Sequence, residues 1–212
     1  MITAQLVLVR HGQTEWSVDG RHTGLTDIPL TAEGERAAGE LGARLAGNAF
    51  VQVLSSPLQR AKRTAELAGF VDPVLEPDLV EWDYGDYEGI TTADIRVHDP
   101  GWTVWTHPCP GGESAEDVTA RLDRVIARVR QADGPVLAFG HGHAMRALAA
   151  RWVGLGVEFG QHWVLDTATV SVLGDDRGAA VISRWNDSRD ARTRHDAIGQ
   201  DGVAIRALGD DR

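Results

Sequence analysis

The sequence predicts an α/β fold, a three-layer αβα sandwich on a mostly parallel central sheet with an antiparallel edge. Short apolar runs at Leu6–Val9, Val51–Leu54 and Val136–Phe139 read as buried strands. They alternate with longer segments whose apolar residues repeat at helical spacing, and this alternation gives parallel strands covered by helices on both faces. Two late runs, Thr169–Leu173 and Ala180–Arg184, are joined by Gly174-Asp175-Asp176-Arg177-Gly178. That pattern predicts a hairpin, which supplies the antiparallel edge.

Taken in order, the strand at Leu6–Val9 enters a Gly-rich loop. Thr31 caps a helix running to about Ala46, with Ala37, Ala38, Leu41 and Leu45 on one face. The second strand runs into Ser56-Pro57-Leu58-Gln59, where Ser at N-cap, Pro at N1 and Gln at N3 predict a helix start. This helix carries Arg60 in its first turn and ends near Gly69. Residues 82–112 break the rhythm with Trp82, Trp102, Trp105 and several Pro and Gly, so an irregular lid with one short helix around Thr92–Val97 is expected. Ser114-Ala115-Glu116-Asp117 resembles a capping box and opens a helix with Val118, Leu122, Val125, Ile126 and Val129 on one face. After the third strand come the loop Gly140-His141-Gly142-His143 and a helix carrying Met145, Leu148, Ala149 and Trp152. Residues 1–185 thus read as one domain, and the polar tail 186–212 has a composition that predicts partial disorder.

Bulk composition narrows the function. The 212 residues, 42% hydrophobic and 25% charged, suit one globular domain with a sizeable core. No apolar run approaches the roughly 20 residues that span a bilayer, and no secretory signal is visible. The single cysteine, Cys109, excludes an internal disulfide and a multi-Cys zinc site, and a cytoplasmic setting is the simplest fit. A net charge of -10 argues against nucleic acid and anionic membranes as partners. A site for an anion in such a chain has to be locally positive.

Three strand ends meet that demand. Arg10 and His11 follow the first strand, Arg60 lies one step past the second, and His141 follows the third. In a parallel sheet these ends share one edge, where ligands bind. A fixed guanidinium beside an imidazole suits an anionic phosphate and a nitrogen nucleophile. Singly, each residue could be a solvated arginine or a histidine satisfied by backbone; jointly, that reading weakens.

Leu8-Val9-Arg10-His11-Gly12-Gln13-Thr14-Glu15-Trp16, Leu25 to Gly34, Ser55-Ser56-Pro57-Leu58-Gln59-Arg60-Ala61, Glu81 to Gly89, Gly111 to Ser114 and His141-Gly142 occur in this order. The set, spanning roughly residues 5 to 173, resembles the signature of the histidine phosphatase superfamily, the phosphoglycerate mutase-like fold. The resemblance implies that His11 is a nucleophile forming a phosphohistidine. It implies that Arg10, Arg60 and His141 clamp the phosphoryl oxygens and that Glu81 donates a proton to the leaving group. His11 then needs its second ring N–H tied to a backbone carbonyl. An acidic Glu81 needs a raised pKa, which an apolar wall such as Trp82 would provide, and Glu88 is the competing carboxylate. An acidic optimum is expected if protonated His141 favours the clamp.

Members often carry an asparagine where Ser17 stands, so the hydroxyl would reach phosphate less far. Thr23 and Gly24 would offer backbone N–H groups, with Arg21 and Gly142 beside them, while Trp102 and Trp105 of the lid would contact substrate. No cofactor and no metal are expected: His141-x-His143 has no nearby set to complete a ligand shell. His22, His98, His107, His162 and His195 read as surface or structural. A cysteine phosphatase would need Arg six positions after Cys109, where Ala115 stands. The expected activity is hydrolysis of a small phosphorylated metabolite in the manner of the acid-phosphatase-type members. A mutase looks to need a longer basic insertion than Asp99–His107, and a non-catalytic phospholigand-binding module is the remaining alternative. A homodimer stays open.

Overall fold

The computed structural model describes residues 5–188. Strand β1 (Leu6–Arg10) leads into helix α1 (Glu15–Asp19) and then α2 (Ala32–Leu45). Strand β2 (Gln52–Ser55), helix α3 (Gln59–Leu67) and the short strand β3 (Val74–Leu75) follow. Beyond α4 (Thr92–His98) come α5 (Ala115–Arg130), β4 (Val136–Gly140) and α6 (Gly142–Trp152). Strands β5 (Val170–Asp176) and β6 (Ala179–Asp187) close the fold. The six strands form one sheet in the order β3-β2-β4-β1-β5-β6. Neighbours from β3 to β1 run parallel, while β5 and β6 add the antiparallel edge.

Period-two alternation of the central strands splits the core between the two faces. Leu6, Leu8, Val136 and Ala138 pack toward α5 and α6, with Val118, Leu122, Leu148 and Trp152. Val7, Val9, Leu137 and Phe139 pack toward α2 and α3, with Leu41, Leu45 and Ala65. Because both faces of β1 and β4 are covered, those strands read as continuous apolar runs.

Four expectations need correction. Helix α1 occupies the expected Gly-rich loop; it is five residues long, capped by reciprocal bonds between Thr14 and Ser17, too short to show periodicity. Helix α3 begins at Gln59, not Ser56, and its N-cap Leu58 makes no side-chain bond. The Asp27 carboxylate caps it from a distance, accepting from the Gln59 N–H at 2.8 Å. The hairpin strands extend to Asp176 and Ala179, leaving a two-residue turn in which Arg177 (φ 52°) and Gly178 (φ 87°) both adopt the left-handed region, as a type I′ turn requires. The Trp-rich segment is no loose lid, since Trp82, Trp102 and Trp105 are buried in the α5/α6-side core. Strand β3, two residues long, gave no sequence signal. Residues 189–212, most of the expected tail, lie outside the described residues.

Candidate active site

In the sheet order β2-β4-β1, three parallel strands end side by side. Chain exit keeps that register: the His11 N–H donates to Gly140 O at 2.9 Å, and the Ser56 N–H to Phe139 O at 2.9 Å. Arg10, His11, Ser56 and His141 therefore reach one edge together, with Arg60 entering from the second residue of α3. The His11 and His141 rings lie 5.2 Å apart between centroids, and Arg60 Nε donates to His141 Nδ1 at 3.1 Å.

His11 Nδ1 lies 2.7 Å from Gly12 O. A carbonyl only accepts, so Nδ1 carries the hydrogen and Nε2 keeps a free lone pair. Burial, then Arg60 and Arg10, holds the His11 pKa well below the ordinary imidazole value. Gly12 is required by close approach: a Cβ there would sit 2.4 Å from Gly34 O, the point where α2 docks on the loop.

Arg10 presses along Gly142, where a Cβ would meet its Cζ at 3.3 Å. Its Nη1 donates to Leu165 O, but its buried Nε has no partner among the described residues. An orphaned buried N–H costs on the order of 1–3 kcal/mol, and beside a nucleophile it suits a bound oxyanion. Arg60 is fully buried; besides His141 it donates to Thr26 O at 3.0 Å, Thr23 O at 3.1 Å and Gly24 O at 2.8 Å. His141 Nδ1 thus accepts, which places the ring hydrogen on Nε2, 2.8 Å from Ser56 Oγ. Burial first and Arg60 next hold this ring neutral. The protonated His141 expected from the sequence does not fit the free site, because its second nitrogen is already an acceptor.

Glu81 is buried at the amino end of α6. Its carboxylate accepts from the N–H groups of Ala144 (2.7 Å), His143 (3.0 Å) and Trp82 (2.9 Å). Of the Trp82 indole expected as its apolar wall, the N–H donates to Glu113 O at 3.1 Å and the ring packs edge-on against Trp105. Glu88, the competing carboxylate, is a fastener of the 24–26 loop. It accepts from Gly24 N–H at 2.6 Å, Leu25 N–H at 3.2 Å and Thr26 N–H at 3.2 Å.

These groups surround a cavity of about 240 Å³ lined in part by Arg10, His11, Glu81 and Gly142, with Ser17, Arg21 and Thr23 at its loop side. Arg60 and His141 lie fully buried behind it. Four residues expected to contact substrate are also held by other partners. The Ser17 hydroxyl donates to Thr14 O and accepts from Thr14 N–H, so it caps α1. The Gly24 N–H is taken by Glu88, while its carbonyl holds Arg60. Trp102 is buried with its N–H on Pro108 O, and Trp105 carries the Arg146 guanidinium on its face at 4.8 Å. His22 is not a surface residue: it lines the cavity, packs on Tyr84 and Trp102, and burial pushes its pKa down to about 4. The sequence reading also missed Tyr84, Thr92, His143, Arg146 and Leu165 on the cavity wall. Only Arg146 carried a usable signal, an arginine set between the apolar residues Met145 and Ala147 in the helix directly after His141-Gly142. Among the described residues no three His, Cys, Asp or Glu side chains could hold a metal ion.

The profile of the histidine phosphatase superfamily (branch 1) matches residues 6–188. The chain belongs to that superfamily. An acid phosphatase of Mycobacterium tuberculosis is 42% identical over 184 residues, covering 84% of this chain and 90% of its own. A sedoheptulose 1,7-bisphosphatase of Saccharomyces cerevisiae is 36% identical over 190 residues, 74% of this chain and 70% of its own. The solved structure of an open reading frame from Mycobacterium tuberculosis superposes with a TM-score of 0.83 at 39% identity, over 86% of this chain and 96% of its own. In this member of the superfamily the His11 tautomer is fixed by Gly12 O, and the buried Arg10 Nε has no partner among the described residues. Among the described residues no helix is long and apolar enough to cross a membrane.

Proposed function

We propose that this histidine phosphatase hydrolyses a small phosphomonoester, without a metal, through a phosphohistidine on His11. The observation that carries the reading is the pairing of a free His11 Nε2 with the unpartnered, buried Arg10 Nε beside it. Phosphoryl transfer asks chiefly for positioning and charge stabilisation, which these two groups supply with Arg60 and His141 behind them. His11 Nε2 attacks phosphorus, the ester P–O bond breaks, and the leaving oxygen takes a proton from Glu81. Water then loses a proton to Glu81 as its oxygen attacks phosphorus. The P–N bond breaks, returning the lone pair to His11 and restoring the Glu81 acid. The printed names of the relatives, an acid phosphatase and a sugar bisphosphatase, support phosphomonoester chemistry for this chain as well.

His11→Ala is expected to abolish phosphate release from 4-nitrophenyl phosphate, and wild-type rates in that variant would overturn the assignment. Glu81→Gln separates the two steps. The good leaving group needs no proton, so nitrophenolate appears in a burst equal to the enzyme, after which turnover is slowed by about 10²- to 10⁴-fold. Loss of the burst itself would move Glu81 out of the second step. Because His11 stays neutral below pH 6.5, the acidic limb of kcat/KM is expected below that value; a limb at or above 6.5 would contradict the buried, neutral nucleophile. The alternative, a mutase that returns the phosphoryl group to substrate, is tested by incubation with 3-phosphoglycerate and 2,3-bisphosphoglycerate. Fast isomerisation without phosphate release would replace hydrolysis.

A further inference from the structure

Besides Arg10, and Arg21 with its Asp19 partner, the cavity has a further arginine that the two chemical steps leave unused. Arg146 lines it from the second turn of α6, beyond His141 and Gly142. Its Nε donates to Gly160 O at 2.9 Å, and its guanidinium lies over the Trp105 ring at 4.8 Å. These two contacts fix the plane of the fork, and among the described residues Nη1 and Nη2 have no hydrogen-bond partner. The packing beneath is tight: a Cβ at Gly160 would come 2.7 Å from the Trp105 ring. Among the described residues no carboxylate forms an ion pair with Arg146, although ion pairs are frequent among the arginines on the surface. Burial holds its pKa down at about 10, with Arg10 pushing in the same direction and Glu81 opposing. Two guanidinium groups without a carboxylate partner therefore share a cavity of about 240 Å³.

We propose that Arg146 is the specificity-determining residue of this site, binding a second anionic group at the far end of the substrate. The preferred substrates are then phosphomonoesters that also carry a carboxylate or a second phosphate. A planar fork held by one backbone bond and an aromatic face is pre-organised for two-point recognition of such a group. Trp105, buried beneath it, acts as a positioning residue. On the remaining lining of this side, His22 Nε2 lies 3.1 Å from Thr92 Oγ1, and the Tyr84 hydroxyl 2.6 Å from His143 Nδ1. Burial, first among its causes, keeps each of these two histidines neutral, so neither competes with Arg146 for charge.

The inference rests on the phosphatase reading, and its test keeps the two apart. Phosphate release is measured from propyl phosphate, 3-phosphopropionate and propane-1,3-diol bisphosphate with wild type, Arg146→Gln and Arg146→Lys. The wild type is expected to favour one or both anion-bearing esters over propyl phosphate in kcat/KM. Which of the two it favours tells a carboxylate from a phosphate. In Arg146→Gln that selectivity should collapse by about 10- to 100-fold, the loss of a charged hydrogen-bonded pair, mainly through KM. Arg146→Lys should restore part of it as a point charge. Equal wild-type rates on all three esters would overturn the proposal and leave the phosphatase standing, as would an Arg146→Gln defect of the same size on every ester. If no ester is hydrolysed, the phosphatase reading fails instead. The same three compounds are then compared by calorimetric binding, where affinities unaffected by Arg146→Gln overturn the subsite.

Discussion

Ser56 carries a demand that outranks the helix beside it. A Ser-Pro pair is a strong helix start, yet the hydroxyl lies against His141 Nε2 at 2.8 Å and the cap is supplied by Asp27 instead. Removing that hydroxyl leaves a fully buried ring N–H without its partner. Ser56→Ala is therefore expected to lose about 1–3 kcal/mol in denaturant unfolding, with kcat reduced at the same time. An unchanged midpoint would mean that His141 finds another acceptor. Glu88 shows the same economy, one carboxylate satisfying three consecutive amides of the loop whose carbonyls hold Arg60. Glu88→Ala should raise KM for phosphomonoesters by freeing that loop; a change confined to kcat would return Glu88 to the chemistry. Neither duty was legible at its own residue, since each partner lies more than 50 positions away and sequence spacing carries no record of it.

At the scale of elements, the placement of Glu81 depends on α5 and α6 together. Helix α6 offers its amino-terminal N–H groups to the carboxylate, the end where a helix favours negative charge. From α5, the buried Arg121 donates to Glu81 O at 3.2 Å, to Asp78 O and Val80 O at 2.9 Å, and in a fork to both Glu113 oxygens. Arg121→Ala would strip the half-buried Glu113 carboxylate of its charge partner, leave the Asp78, Val80 and Glu81 carbonyls without their donor and untie the segment that bears Glu81. About 1–3 kcal/mol of stability should be lost. Arg121→Met, which restores volume but not charge, should recover part of the stability and little of kcat; equal recovery of both would reduce Arg121 to filling space. The capping box of Ser114 and Asp117 at the start of α5 was legible, because reciprocal bonds three residues apart are a local pattern. The role of Arg121 was not, as nothing local distinguishes it from its solvated neighbours Arg124 and Arg128.

Across the whole molecule, four histidines, His11, His22, His141 and His143, are held below the ordinary imidazole pKa, in each case chiefly by burial. The unfolded chain takes up protons at these rings near pH 6.5, whereas the folded chain resists until lower pH. Below 6.5 the unfolded state thus binds more protons, and stability falls as pH falls, by about 1.4 kcal/mol per pH unit for each ring. For His22 the loss ends near pH 4. The Tm is expected to be flat between pH 7 and 8 and to drop steeply from 6.5 to 5. A Tm that rises on acidification would show that these rings are charged in the folded protein. Saturating inorganic phosphate should raise the Tm at neutral pH by binding the folded state alone.

The sequence by itself determined the layers, the parallel centre of the sheet and the meeting of Arg10, His11, Arg60 and His141. Apolar runs of strand length alternating with helical periods are local patterns, and a parallel sheet must bring its strand ends to one edge. Tertiary structure alone decided which nitrogen of His11 is free, where Trp102 and Trp105 point, and that Arg146 reaches the cavity. Those outcomes depend on contacts between residues distant in the chain, and the burial that fixes tautomers and pushes pKa values down exists only once both layers of helices have closed on the sheet.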